Sequence, residues 1–249
     1  MQTPNVKSAK VRHHLSWLQV TILVCGFWLT YLAGNTRNPL ANFAAVSVYD
    51  VKTVDVSTHL VLQLLAGPLA GTLIITLLIT VIGGRNLWRA LLQHLSARDW
   101  WCLVPLSVVM AALRWGLTTA ANQLPWTWLN SDVIADIQWF DFSLIGVVAV
   151  RELLTLATVL LVLLTVLIAF EDRVRLSWRW VLYLALGVLA AGLGTTSLQP
   201  TFVRNLLVLG VPAIASLLVY SRWRNFWFVL LSYELVWRIV CVGFVLFMW

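Results

Sequence analysis

Five ionisable residues lie inside otherwise apolar stretches of this chain: Arg114, Arg151, Glu152, Glu234 and Arg238. An ionisable group surrounded by hydrocarbon is costly, so each marks a candidate site. Glu234 and Arg238 are four residues apart, which on a helix places them on one face, where they can pair. Arg114 and Glu152 are candidates to pair across helices. At the helical rise per residue, Arg114, Glu152 and Arg238 fall about 10, 12 and 15 Å from the same side of the bundle, so one layer can hold them all. Thr155, Thr118 and Asn122 extend a polar seam beside them. The layer has two readings. It is a structural ion-pair network that keeps helices in register, or a polar cavity. Three Arg against two Glu would make such a cavity a site for an anionic or carboxylate-bearing ligand.

Metal and nucleophile chemistry are tested by subtraction. The four histidines are His13, His14, His59 and His94. A catalytic zinc normally takes three protein ligands, and the second half of the chain has no imidazole to offer, so no metal is expected. HExxH, GxSxG, Walker A and GxGxxG motifs are all absent from the sequence, and no cofactor is expected. Cys25, Cys102 and Cys241 are far apart and form no CxxC. They are expected to be buried thiols acting as small apolar residues.

The elements that carry these residues are apolar runs. Hydrophobic residues make up 61% of the 249 and charged residues 11%, a balance that a soluble domain could not bury. The sequence predicts an all-α, polytopic transmembrane bundle forming one domain over residues 1–249. Its seven spans fall at about 17–34, 59–82, 101–121, 144–170, 180–197, 204–220 and 225–248. Of the fourteen Lys and Arg outside these spans, eleven lie on one side if the N-terminus is inside, and Arg37, Lys52 and Arg204 lie on the other. The positive-inside rule then places the N-terminus inside and the C-terminus outside. The apolar run from Trp17 is too long for a signal-peptide core and reads as an uncleaved first span. The net charge of +7 belongs to short loops facing anionic lipid headgroups rather than nucleic acid. Most of the fifteen Trp read as interface anchors. The segment 124–142 reads as a short interfacial helix. Gly67-Pro68 and Gly71 predict a packing kink in the second span, and Gly187, Gly192 and Gly194 close helix approach in the fifth.

The second half also has a familiar rhythm. Glu171-Asp172-Arg173-Val174-Arg175-Leu176-Ser177-Trp178 forms a charged turn, and a small-residue span ends in Gly192-Leu193-Gly194-Thr195-Thr196. Val211-Pro212-Ala213-Ile214 then leads into Tyr220-Ser221-Arg222-Trp223-Arg224-Asn225-Phe226-Trp227, and the last span carries Leu230-Leu231-Ser232-Tyr233-Glu234. Together with Trp88–Trp101, this resembles the CAAX-protease and bacteriocin-processing (CPBP, or Abi) family of intramembrane proteins over roughly residues 80–245. That family carries an EExxxR motif and two catalytic histidines. Here the paired acids match Arg151-Glu152 or Glu171-Asp172, the latter with Arg175 beside the motif's Arg position, and the histidine positions near Gly194–Thr196 and Ser232–Tyr233 hold none. The resemblance implies a divergent, non-catalytic member of the cell membrane that acts by binding a peptide or another membrane protein, in bacteriocin self-immunity or as an accessory. The alternatives are a small-solute transporter or transporter subunit using the Arg/Glu layer, and an active endopeptidase of the same family.

Overall fold

The structure, a computed structural model, describes residues 15–35, 58–123, 145–171, 173–193, 203 and 205–248. Within them the protein is all-helical, with a single isolated β-bridge between Leu92 and Asn225. Helix α1 spans Trp17–Asn35 and α2 spans Thr58–Leu78. A π-helical turn, Ile79–Gly83, joins α2 to α3, Gly84–Leu91. After a short loop come α4, Ala97–Trp101, and α5, Leu103–Gln123. Then follow α6, Ile145–Glu171, and α7, Arg179–Leu193. A second π-helical turn, Leu206–Gly210, leads into α8, Val211–Trp223, and the last helix is α9, Phe226–Met248. Four helical stretches are long and apolar enough to cross a membrane: Leu65–Leu91, Ala97–Ala121, Ala149–Glu171 and Leu206–Trp223. Trp17–Phe27 and Arg179–Ala191 are shorter apolar stretches.

Local chemistry fixes several helix starts. Ser16 and Gln19 bond reciprocally at the start of α1, each side chain accepting the other's backbone N–H. Ser96 and Asp99 make the same capping box before α4. The Asn225 side chain accepts the Phe228 N–H at 3.0 Å and opens α9. Each contact satisfies helix-end donors that would otherwise lack a partner.

The expected span 59–82 ends too early. The chain runs on as helix to Leu91, because α3 has a face of its own. Leu87, Ala90 and Leu91 enter the core while Arg85 and Arg89 point outward. Gly84 makes the junction, with φ +59° and ψ −162°, a conformation essentially restricted to glycine. Pro68, inside α2, has no N–H for the helix ladder. One turn on, the Thr72 hydroxyl donates to the Pro68 carbonyl at 2.7 Å and meets the Thr158 hydroxyl of α6 at 2.8 Å.

Helix α6 is the hub, packed against α1, α2, α7, α8 and α9, while α5 pairs with α9 and α7 with the second π turn. Leu160, Leu163, Leu164 and Leu167 of α6 form the centre of a core shared with Ile79, Leu91, Leu217, Tyr220 and Phe228. Between apolar helices in lipid, close fit rather than water exclusion holds the pair together. Gly187 and Gly210 show this. A Cβ on Gly210 would lie 2.9 Å from the Gly187 carbonyl oxygen, and one on Gly187 would lie 2.6 Å from Ile214. One sequence expectation is corrected: Cys25 and Cys102 are free but exposed. Cys25 lies on an outward face of α1 and Cys102 at the junction of α4 and α5, and an apolar run does not distinguish a protein-facing side from an outward-facing one.

Candidate functional site

Two ionic centres lie at opposite ends of the bundle. The first is carried by α5, α6 and α9. Within α9, the four-residue spacing brings Arg238 to Glu234, and Arg238 Nη2 meets Glu234 Oε2 at 2.6 Å. The other nitrogen, Nη1, meets Glu152 Oε2 of α6 at 2.5 Å. Arg114 of α5 completes the chain, with Nη1 donating to Glu234 Oε1 at 3.0 Å and to the Tyr233 carbonyl at 3.2 Å. Its guanidinium also lies 4.3 Å from the Tyr233 ring centre and 4.4 Å from that of Trp237. These cation–π contacts reward a charge held away from water. Trp115 packs edge-on to Trp237 and closes one side.

The order is therefore Arg114–Glu234–Arg238–Glu152, two cations alternating with two anions. The direct pair expected between Arg114 and Glu152 is replaced by this relay. Depth alone cannot choose between Glu152 and Glu234 as the acceptor; the packing of α5 against α9 does. Burial is deepest at Glu234 and falls off towards Glu152. The Glu234 side chain is 8% exposed, Arg114 17%, Arg238 22% and Glu152 48%. Arg151 is half-buried beside Glu152, and its carbonyl accepts the Thr155 hydroxyl at 2.9 Å. Thr118 is buried on α5.

The second centre gathers the arginine-rich loops. Glu171, the last residue of α6, is buried, and its Oε1 accepts from Arg179 Nη1 at 3.3 Å and from Arg224 Nη2 at 2.5 Å. Arg224 has a left-handed backbone, φ 52° and ψ 33°, in the tight turn between α8 and α9. Its N–H donates to the Tyr220 carbonyl, and its own carbonyl accepts the Gln93 N–H at 3.1 Å. The Asn225 side chain donates to the Gln93 carbonyl, and the Tyr220 hydroxyl to the Ala90 carbonyl. These bonds lock the α8–α9 turn onto the loop after α3. Burial works against the charge of Arg224, but the hydrogen bond and charge of Glu171 outweigh it and raise its pKa above the ordinary arginine value. Arg173 fastens the other side. It donates to the Ala169 and Leu15 carbonyls and lies 4.3 Å from the Trp17 ring centre.

Glu171 was legible from the sequence as a motif acid, but its partners were not. Arg175 is exposed, and Asp172 lies outside the described residues. Arg179 and Arg224, eight and 53 residues from Glu171, hold the carboxylate instead. The available signal was an Arg in a tight inter-helix turn, followed at once by the helix-capping Asn225. Asn122 and Cys241 have no described side chains, and the segment 124–142, expected to be an interfacial helix, lies outside the described residues. Among the described residues, no three His, Cys, Asp or Glu gather where they could hold a metal ion. No family model, curated protein or solved structure matches the chain.

Proposed function

We propose that this chain is a seven-span protein of the cell membrane, N-terminus inside and C-terminus outside, that works by binding a peptide or another membrane protein. The role is the one implied by the CPBP resemblance: bacteriocin self-immunity or an accessory function, without catalysis. The observation that carries this reading is how its acids are engaged. Glu234 lies between Arg114 and Arg238, and Glu171 between Arg179 and Arg224. A general base needs a free lone pair within reach of a proton; Glu234 has each of its oxygens bound to a guanidinium group, and Glu171 is held by two guanidinium groups through one oxygen. Ion pairs that tie α5, α6 and α9 together suit a rigid scaffold presenting its outer surface to a partner. The experiment is twofold. Expression in bacteriocin-sensitive cells should protect them, and purified protein should leave membrane-embedded peptides uncut. Peptide cleavage that disappears in Glu171→Gln would overturn the reading.

A transporter or transporter subunit is the second reading, favoured by one observation. Glu152 is about half exposed while bound to Arg238, so a solute carboxylate could displace it without unmaking the buried Glu234 pair. Carboxylate uptake into vesicles, lost in Arg238→Gln, would select this reading over the first.

A further inference from the structure

The arginine-rich end carries a charge that Glu171 does not balance. One carboxylate faces two guanidinium groups, and both pairs use the same oxygen. The local sum of these three groups is +1. Both cations rise from well-defined backbone positions. Arg179 is fixed at the first turn of α7, directly after the 3-10 turn Leu176–Trp178. Arg224 is held by its backbone bonds to Tyr220 and Gln93, with its guanidinium 5.6 Å from the Tyr220 ring centre. The two side chains are 27% and 23% exposed, so each keeps an edge open to the surroundings. An arginine has five N–H donors, and the shared carboxylate oxygen takes one from each. Arg179 Nε is buried and has no acceptor among the described residues.

The surroundings name the kind of anion. Arg175 and Arg222 flank the pair in sequence and are exposed, as are the indoles of Trp178, Trp180 and Trp227. Exposed Trp beside Arg marks the level where hydrocarbon gives way to headgroups. At that level the abundant anion whose pair of non-bridging oxygens matches an arginine fork is a phosphodiester. Its single negative charge equals the local surplus. We propose that the Arg179–Glu171–Arg224 clasp binds the phosphodiester headgroup of an anionic phospholipid, with Trp178 and Trp180 beside its glycerol and upper acyl chains. The inference rests on the membrane reading above and is independent of the role given to the relay at the other end.

The test uses the full chain in nanodiscs of mixed phosphatidylcholine and phosphatidylglycerol. Lipids that stay bound after release into the gas phase are counted by native mass spectrometry. Wild type should retain phosphatidylglycerol over phosphatidylcholine by about tenfold, the scale of a charge-assisted hydrogen-bond pair. Arg179→Lys keeps the charge and the pair with Glu171 but removes the fork, and should lose most of that preference. Arg85→Gln with Arg89→Gln removes two exposed charges from α3 and should leave the preference nearly intact. Circular dichroism on each variant separates lost binding from lost fold. The site is overturned if wild type shows no preference, if the α3 double variant loses as much as Arg179→Lys, or if inorganic phosphate displaces the lipid. A chain that alkaline carbonate strips from membranes would instead refute the membrane reading itself.

Discussion

Glu234→Gln is the sharpest probe of the relay. Glu234 is its only member bound to two cations, and neutralising it leaves the Arg114 and Arg238 charges facing each other across an amide. Breaking a buried pair by removing one partner costs about 3–5 kcal/mol. Three features reduce that figure here. Arg238 keeps Glu152, and Arg114 keeps the Tyr233 carbonyl and two ring faces. Both guanidinium groups are about a fifth exposed. The expected loss is about 2–3 kcal/mol, below the range for a fully buried pair. Glu152→Gln cuts the half-exposed end and should cost under about 1 kcal/mol, the scale of surface pairs. The assay is reversible unfolding in mixed micelles of rising SDS fraction, followed by circular dichroism. Adding Arg114→Gln to Glu234→Gln should recover part of the loss, because the charge left without its partner is then gone as well. Equal costs for Glu234→Gln and Glu152→Gln, or strictly additive costs for the double variant, would refute the relay as a cooperative structural unit.

Gly187→Ala should destabilise by about 1–3 kcal/mol, the usual cost of overpacking, because its Cβ meets Ile214 and the Gly210 backbone; the same unfolding titration checks it. Gly84→Ala should cost about 1 kcal/mol or more through backbone strain alone, whereas Gly71→Ala, whose Cβ meets nothing within 4 Å, should be neutral or slightly stabilising. Reporter fusions after Arg98 and after Arg224 should both read the inner side; an outer signal at either breaks the seven-span topology.

The all-helical build was legible because apolar run length is a strong signal, and helices occur where the runs predict them. The pairing of Glu234 with Arg238 was legible for a similar reason, since four-residue spacing fixes a shared face before any tertiary contact is known. Arg114 was harder. Its depth matched two carboxylates, and only the packing of α5 on α9 decides between them. The Glu171 clasp was half legible: the acid stood out, but its cations come from the start of α7 and from the α8–α9 turn, which sequence distance does not connect. The continuation of α2 into α3 was hidden by its charges. Arg85 and Arg89 read as loop because they break an apolar run, yet they are the outer face of an amphipathic turn.

The hub position of α6 bears on the order in which the protein is assembled. Its span is the most apolar of the four, with mean hydropathy 2.9, and the most enclosed, with 56% buried against 11% for Leu65–Leu91. The neighbours that enclose it lie on both sides in sequence: α1 and α2 are synthesised before it, and α7, α8 and α9 after it. A helix this apolar can enter the bilayer unaided, so its insertion does not wait for partners. Its enclosure does, because Phe228 and Leu217 come from the last two helices. The carboxylate at its end is likewise without Arg224 until the α8–α9 turn exists. The nascent chain thus leaves part of its future centre uncovered until the final fifth of the sequence arrives, and closing the bundle and giving Glu171 its second cation become one late event.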